Sequence, residues 1–355
     1  MNTSNKEKDS WTIQESISNL YIQKLRAILN NPHVINISSL QPKKIFEELK
    51  NANVDADSVL FLNGDVWRYF NIEQNIFNHQ ALVGKKVYFQ TLGYTNTKLN
   101  DNHYYLSFPY LFVFRNYNNN KPFEPLGKNL DYGFACLNNN CAIHRFKIGH
   151  EFFKNSLLSN ILFSQNLRDE DLSRIEQDRD MLGLDRFYEY KSQLPIILPE
   201  EQTGQPVDFR CFKGRDSWTI YFDISAYWNA YCFISIETEL EEYPYQRNIN
   251  LPLVTEKSLK SFQTRQLPFI VGARGHYRFL KGLGFEMMED LLPNGYDEMP
   301  FLQKVGAVVN TVAKGKDFVK DFYFDHIREI KHNYELVNST KVDDLILSRI
   351  KDMIN

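Results

Sequence analysis

The chain has no run of about 18 uncharged apolar residues, the length a helix needs to cross a bilayer. Its opening, MNTSNKEKDS, is polar and lacks the apolar stretch of a secretory signal, so a cytoplasmic protein without a membrane span is expected. Cysteine is scarce. The four present, Cys136, Cys141, Cys211 and Cys232, show neither CxxC spacing nor an accompanying histidine pattern, which speaks against a zinc site or a disulfide framework and reads them as small core residues. Neither charge is in excess: 41 Lys and Arg against 44 Asp and Glu leave a net charge of -3, which disfavours a broad cationic surface for nucleic acid. There is no internal repeat, and the asparagine-rich patches are too short to count as low-complexity.

What is present is material for more than one core, because 355 residues exceed what one domain of ordinary size organises. A hydrophobic share of 43% with 24% charged residues is that of a globular protein. Apolar spacing from Trp11 to Leu29 predicts an amphipathic helix stopped by Asn30-Asn31-Pro32. Val34–Ile37, Ser58–Leu62, Lys86–Phe89 and Tyr110–Phe114 read as strands, Pro42–Leu49 as a helix, and the polar run Arg115–Lys121 as a linker. A second alternating series follows. It comprises strand Phe134–Leu137, helix Ala142–Leu158, strand Ile161–Ser164, an exposed helix Arg168–Lys191, strand Tyr231–Ile236, and then a helix opening at Glu256. Strand Leu267–Gly272, a short helix Gly275–Gly284 and helical pieces from Pro300 onward complete it. Strands alternating with helices predict parallel sheets, so the expected fold is α/β: two Rossmann-like doubly wound domains facing a cleft, with C-terminal helices. The expected boundaries are 1–125, 126–317 and 318–355, the last packing back on the rest.

Ligands of open parallel sheets bind beyond the carboxyl ends of the strands, where loops meet helix N-termini. Three segments fall there: Asn138 leading to His144-Arg145, Glu237 after its strand, and Thr255-Glu256-Lys257. A helix N-terminus offers unpaired amides and partial positive charge, which suits a diphosphate; Arg145 and Lys257 would neutralise the remaining charge, and the Glu256 carboxylate could accept both hydroxyls of a ribose. Plainer readings stand beside these. Glu256-Lys257 is also a surface helix-capping pair, Arg145 the outer face of a helix whose buried side is Ile143, Phe146 and Ile148, and Glu237 an ordinary strand end. His276, with Arg278, reads as a nucleotide or sugar contact, with a solvent-facing loop as the plainer and preferred reading.

The strand carrying Val254-Thr255-Glu256-Lys257, then a helix, then Leu267-Pro268-Phe269-Ile270-Val271-Gly272 resembles the donor half of two-domain glycosyltransferases of the GT-B fold, particularly their fucosyltransferase-like group. It is similar as well to a set of uncharacterised phage and marine bacterial proteins that share this turn, a following Leu283-Gly284-Phe285 stretch and a Tyr296-Asp297-Glu298. Leu137, Asn138, His144 and Arg145 match the segment that precedes the donor-domain helix in such proteins. The resemblance spans about residues 131–298 and departs from the pattern at Phe262, Gln263 and Arg265, where small residues are common.

That resemblance implies transfer of a sugar from a UDP- or GDP-linked donor to an acceptor hydroxyl, on a glycan or a hydroxylated DNA base. Glu256 would bind ribose; Lys257 and Arg145 would hold the donor diphosphate, with Asn138, Glu237 and His276 nearby. No DxD stands where a metal-using donor site would carry it, so metal-independent transfer without a bound cofactor is expected, the cations and helix dipole taking the metal's place. Residues 1–125 would serve the acceptor and 126–317 the donor, in host cytoplasm if a phage encodes the chain. The acceptor's proton needs a base, and Asp65, closing the strand SVLFLNGD, is the chosen candidate over His103 and Arg115, although after Asn63-Gly64 it is also a plain turn residue. Arg265, Arg274, Arg278 and Lys281 would be available to hold a nucleic-acid strand. The other function classes are a nucleotide- or sugar-binding module without a base and a structural or assembly protein whose aromatic surface binds partners.

Overall fold

The computed structural model describes residues 23–36, 57–62, 79–91, 97–107, 122–138, 142–165, 169–180, 182–196, 229–237, 254 and 256–355. The chain divides into two compact units, one of residues 1–116, 251–255 and 339–355, the other of 117–250 and 256–338. The division at 116 falls inside the polar run 115–121, and the C-terminal helices are shared between the units at 338/339. The helix expected at 42–49, the strand expected at 110–114 and Asp65 lie outside the described residues.

In the first unit, β1 (His33–Asn36), β2 (Ser58–Leu62), β3 (Lys86–Thr91) and β5 (His103–Ser107) form a parallel sheet. The two-residue β4 (Thr97–Lys98) adds an antiparallel edge, giving the order β1-β2-β3-β5-β4. Val59, Leu60 and Phe61 are all buried, as are Val87, Tyr88 and Phe89, the continuous burial of strands covered on both faces. β4 and β5 escape hydrophobic patterning because their joining turn is polar. The turn holds by side-chain chemistry instead: Asn100 Oδ1 accepts the amides of Asn102 and His103, each at 2.9 Å.

The second unit carries a parallel sheet of β6 (Tyr132–Asn138), β7 (Ile161–Gln165), β8 (Ala230–Ile236) and β9 (Leu267–Val271) in the order β7-β6-β8-β9. Every residue of β7, β8 and β9 is buried. Pro268, which cannot donate to a ladder, is tolerated because β9 is an edge of this sheet. Helix α1 (Ile143–Lys154) follows β6, α4 (Glu256–Gln263) precedes β9, and α5 (His276–Gly282) follows it. The expected helix over 168–191 is two pieces, α2 (Asp169–Gln177) and α3 (Phe187–Lys191), separated by a turn in which Gly183 takes a φ of +60°.

The C-terminal region is α6 (Phe301–Val312), α7 (Gly315–Asp325), α8 (Ile327–Val337) and α9 (Lys341–Ile354), of which α9 belongs to the first unit. Helix α7 lies against β6 and β8, and α8 lies against α4. Phe262 of α4, at one of the positions where the resemblance has small residues, stacks on Phe285 at 4.5 Å between centroids. The larger ring fills its place in the core.

Candidate functional site

The order β7-β6-β8-β9 contains a reversal: the chain leaves β6 for β7 on one side and returns to β8 on the other. Loops leaving the carboxyl ends of β6 and β8 therefore part in opposite directions, the arrangement that opens a crevice in doubly wound sheets. Asn138 ends β6, Glu237 directly follows β8, and α1 begins with Ile143, His144 and Arg145.

His144 is buried, its ring hydrogen-bonded to the backbone of Glu237. Burial first, then the Arg145 guanidinium and the Lys257 ammonium, push its pKa down to about 3, so the ring is neutral at ordinary pH. Arg145 and Lys257 thus bear on one imidazole at the strand reversal. Arg145 is itself buried, and its Nη2 donates to the Ile236 carbonyl at the end of β8 at 3.4 Å. It does not lie on an outer helix face; it crosses from α1 to β8. The N-cap of α1, Ala142, has only a methyl group and cannot close the helix terminus with its own side chain.

A second buried cluster lies one strand along. Glu237 Oε1 accepts the Ser258 hydroxyl and, at 3.3 Å, the Ser258 amide in the first turn of α4. Ser258 Oγ is also 3.0 Å from His276 Nε2, and Glu237, Ser258 and His276 are all fully buried. The proton inventory fixes the roles. A serine hydroxyl has one proton; given to Glu237, it leaves the oxygen to accept from His276, which must then carry its proton on Nε2. In that state the hydroxyl proton points at the Glu237 carboxylate and not at the imidazole, so the Ser-to-His hydrogen bond of a hydrolase triad is not made and the sealed cluster is read as a clamp.

His276 is held neutral, its pKa down to about 3, by burial and by the nearby Lys304 charge against an opposing pull from Asp297. Gly272 makes room for the ring: a Cβ there would lie 2.6 Å from His276 Nδ1. Lys304, 1% exposed, points its ammonium at the carbonyls of Gly272, Ala273 and Asp297, at 3.0, 3.2 and 3.1 Å. The Asp297 carboxylate accepts the amides of Tyr277 and Arg278 at 2.9 and 3.0 Å, closing the N-terminus of α5 from outside the helix.

Of the residues singled out in sequence, Arg145 and Lys257 bear on His144, while Glu237 and His276 meet at Ser258. Asn138 is buried at the end of β6, its Nδ2 3.5 Å from Cys136 Sγ. Glu256 opens α4 with its backbone, its side chain lying outside the described residues, as Asp65 and Arg115 do entirely. The basic residues considered for a nucleic-acid strand are partly spoken for. Arg278 pairs with Glu298 and Lys281 with Glu289, both at 2.9 Å, and Arg265 donates to the Glu124 carbonyl at 2.8 Å.

Ser258, Asp297 and Lys304 are the members of the site that pattern reading missed. Only Asp297, in the Tyr296-Asp297-Glu298 segment, carried any signal; Lys304 in FLQKVGAVV reads as a solvated helix position. Among the described residues no three His, Cys, Asp or Glu side chains gather as a metal-ligand group.

No family model and no curated protein matches the chain. Among solved structures, an alpha1,3-fucosyltransferase matches over 91% of each chain with a TM-score of 0.35 and 12% identity. A likeness that distant carries no weight for function, which has to rest on the site itself.

Proposed function

We propose that the second unit binds a nucleotide-diphosphate sugar at the reversal between β6 and β8, and that the protein is a glycosyltransferase. The observation that carries this reading is the pair of cations at the strand reversal: the buried Arg145 donates to the Ile236 carbonyl at the end of β8, and its charge and that of Lys257, from a distant stretch of sequence, both lower the pKa of the buried His144. A pair of cations beside a helix start that its N-cap leaves open suits a diphosphate better than a carboxylate or a neutral ring. Glu256 takes the ribose hydroxyls, and Asn138 borders the site from β6.

In the transfer, an acceptor oxygen bonds to the anomeric carbon as that carbon's bond to the diphosphate oxygen breaks. The departing pair of electrons stays on the diphosphate, where Arg145, Lys257 and the start of α1 stabilise it without a metal. Asp65 is the base assigned to the acceptor proton. Glu237 and His276, both sealed from solvent, serve the architecture of the site and not the ligand directly.

The test is a panel of nucleoside diphosphates in thermal-shift assays. UDP or GDP raises the melting temperature of the wild type, and Arg145→Ala with Lys257→Ala abolishes the rise. An unchanged rise in the double variant removes the assigned site. Slow release of sugar from the donor without acceptor separates a transferase from a module that only binds.

A further inference from the structure

Resting on that reading, we propose that Glu237, Ser258 and His276 form a positioning device for Lys257, gripping Ser258 from two sides so that the first turn of α4 presents the neighbouring ammonium to the diphosphate. The three residues come from three places in the fold. Glu237 directly follows β8, Ser258 lies in the first turn of α4, and His276 begins α5 beyond β9. Their hydrogen bonds therefore reference the start of α4 to the ends of two adjacent sheet strands.

A helix start is ordinarily closed by the side chain of its own N-cap residue. In α4 the carboxylate of Glu237, just beyond β8, accepts the Ser258 amide, which ties the first turn of the helix to the sheet. With the Ser258 amide bonded to a carboxylate, the Lys257 side chain is the charge that the first turn of α4 brings to an anion. Lys257 is separated from Ser258 by a single peptide link, so a displacement of the turn carries directly to the ammonium. Misplacement of a charged group by about 1 Å is enough to cost much of its effect on a bound anion. Gly272 and Lys304 hold the far end of the device, one by leaving room for the His276 ring and the other by fixing the carbonyls of Gly272 and Ala273.

The experiment is a double-mutant cycle on nucleotide affinity, with GDP and UDP as probes and titration calorimetry on the full chain. Ser258→Ala removes both side-chain hydrogen bonds at the loss of one oxygen. Acting through Lys257, it weakens the better nucleotide about tenfold in the wild-type background and adds nothing in a Lys257→Ala background. Equal weakening in both backgrounds, or none in either, overturns the proposal. Should Ser258→Ala not fold, the comparison of His276→Gln, which keeps a donor in place of Nε2, with His276→Leu, which does not, runs the same cycle from the other end. There Gln is expected to retain the affinity that Leu loses, and equal loss in both contradicts the device. A wild type that binds neither nucleotide removes the functional reading, and this inference with it; a wild type that binds while the cycle is additive removes this inference alone.

Discussion

His144 and His276 contribute strongly to the pH behaviour of the second unit. Both are buried and held neutral with pKa values near 3, against about 6.5 in an unfolded chain. The unfolded state therefore binds protons that the folded state refuses. Their contribution is fully present above about pH 6.5 and is lost as pH falls from there toward 3, with each histidine withdrawing about 2 kcal/mol between pH 7 and 5. Denaturant unfolding at the two pH values measures it. The loss is expected to shrink in His144→Gln, and a loss of equal size in that variant contradicts the assignment. At this scale the sequence was half legible. Arg145 and Lys257 stand out in the sequence because they lie at the starts of helices that follow or precede strands, whereas Ser258 and Lys304 do not stand out. Their roles depend on partners far away in the chain, and a serine or lysine in a helix looks like any solvated position until Glu237, His276 or the carbonyls after β9 are beside it.

At the scale of elements, the strands of the second sheet were readable nearly to the residue because buried parallel strands are short apolar runs bounded by polar turns. What pattern reading could not see were the two-residue β4, β5, whose run His103-Tyr104-Tyr105-Leu106-Ser107 mixes polar and aromatic residues, and the break between α2 and α3, where a charged amphipathic rhythm continues through a turn. Two substitutions probe the packing that positions the site. Gly149 lies where α1 crosses the end of β7, and a Cβ there would drive into the buried Tyr190 hydroxyl and the Gln165 carboxamide it bonds to. Gly149→Ala is expected to cost about 2–3 kcal/mol, measured by denaturant unfolding, because both overpacking and a broken buried hydrogen bond follow. Lys304→Met is expected to cost about 2–3 kcal/mol by leaving the carbonyls of Gly272, Ala273 and Asp297 without their donor. No loss on Lys304→Met would show that those carbonyls do not depend on the ammonium.

At the scale of the whole chain, the proposed function places the site at the reversal in strand order, and the charge balance bears on which acceptor that proposal favours. A net charge of -3, together with Arg278 and Lys281 paired to carboxylates, leaves little to neutralise a run of phosphates. Fluorescence anisotropy with a duplex bearing a hydroxylated base is expected to show only weak binding that falls steeply with salt, which favours a glycan acceptor; tight, salt-resistant binding would reverse that preference. The unit division at residue 116 falls within the polar run 115–121, whereas nothing in the sequence assigns α9 to the first unit, because helical periodicity says which face is apolar and not which unit covers it. The central claim is that Arg145 and Lys257 close on a diphosphate. Titration calorimetry of GDP and UDP into wild type and into the Arg145→Ala, Lys257→Ala double variant tests it most directly. The account predicts binding of one nucleotide by the wild type and at least about a hundredfold loss in the variant; equal affinity in the two proteins would contradict it.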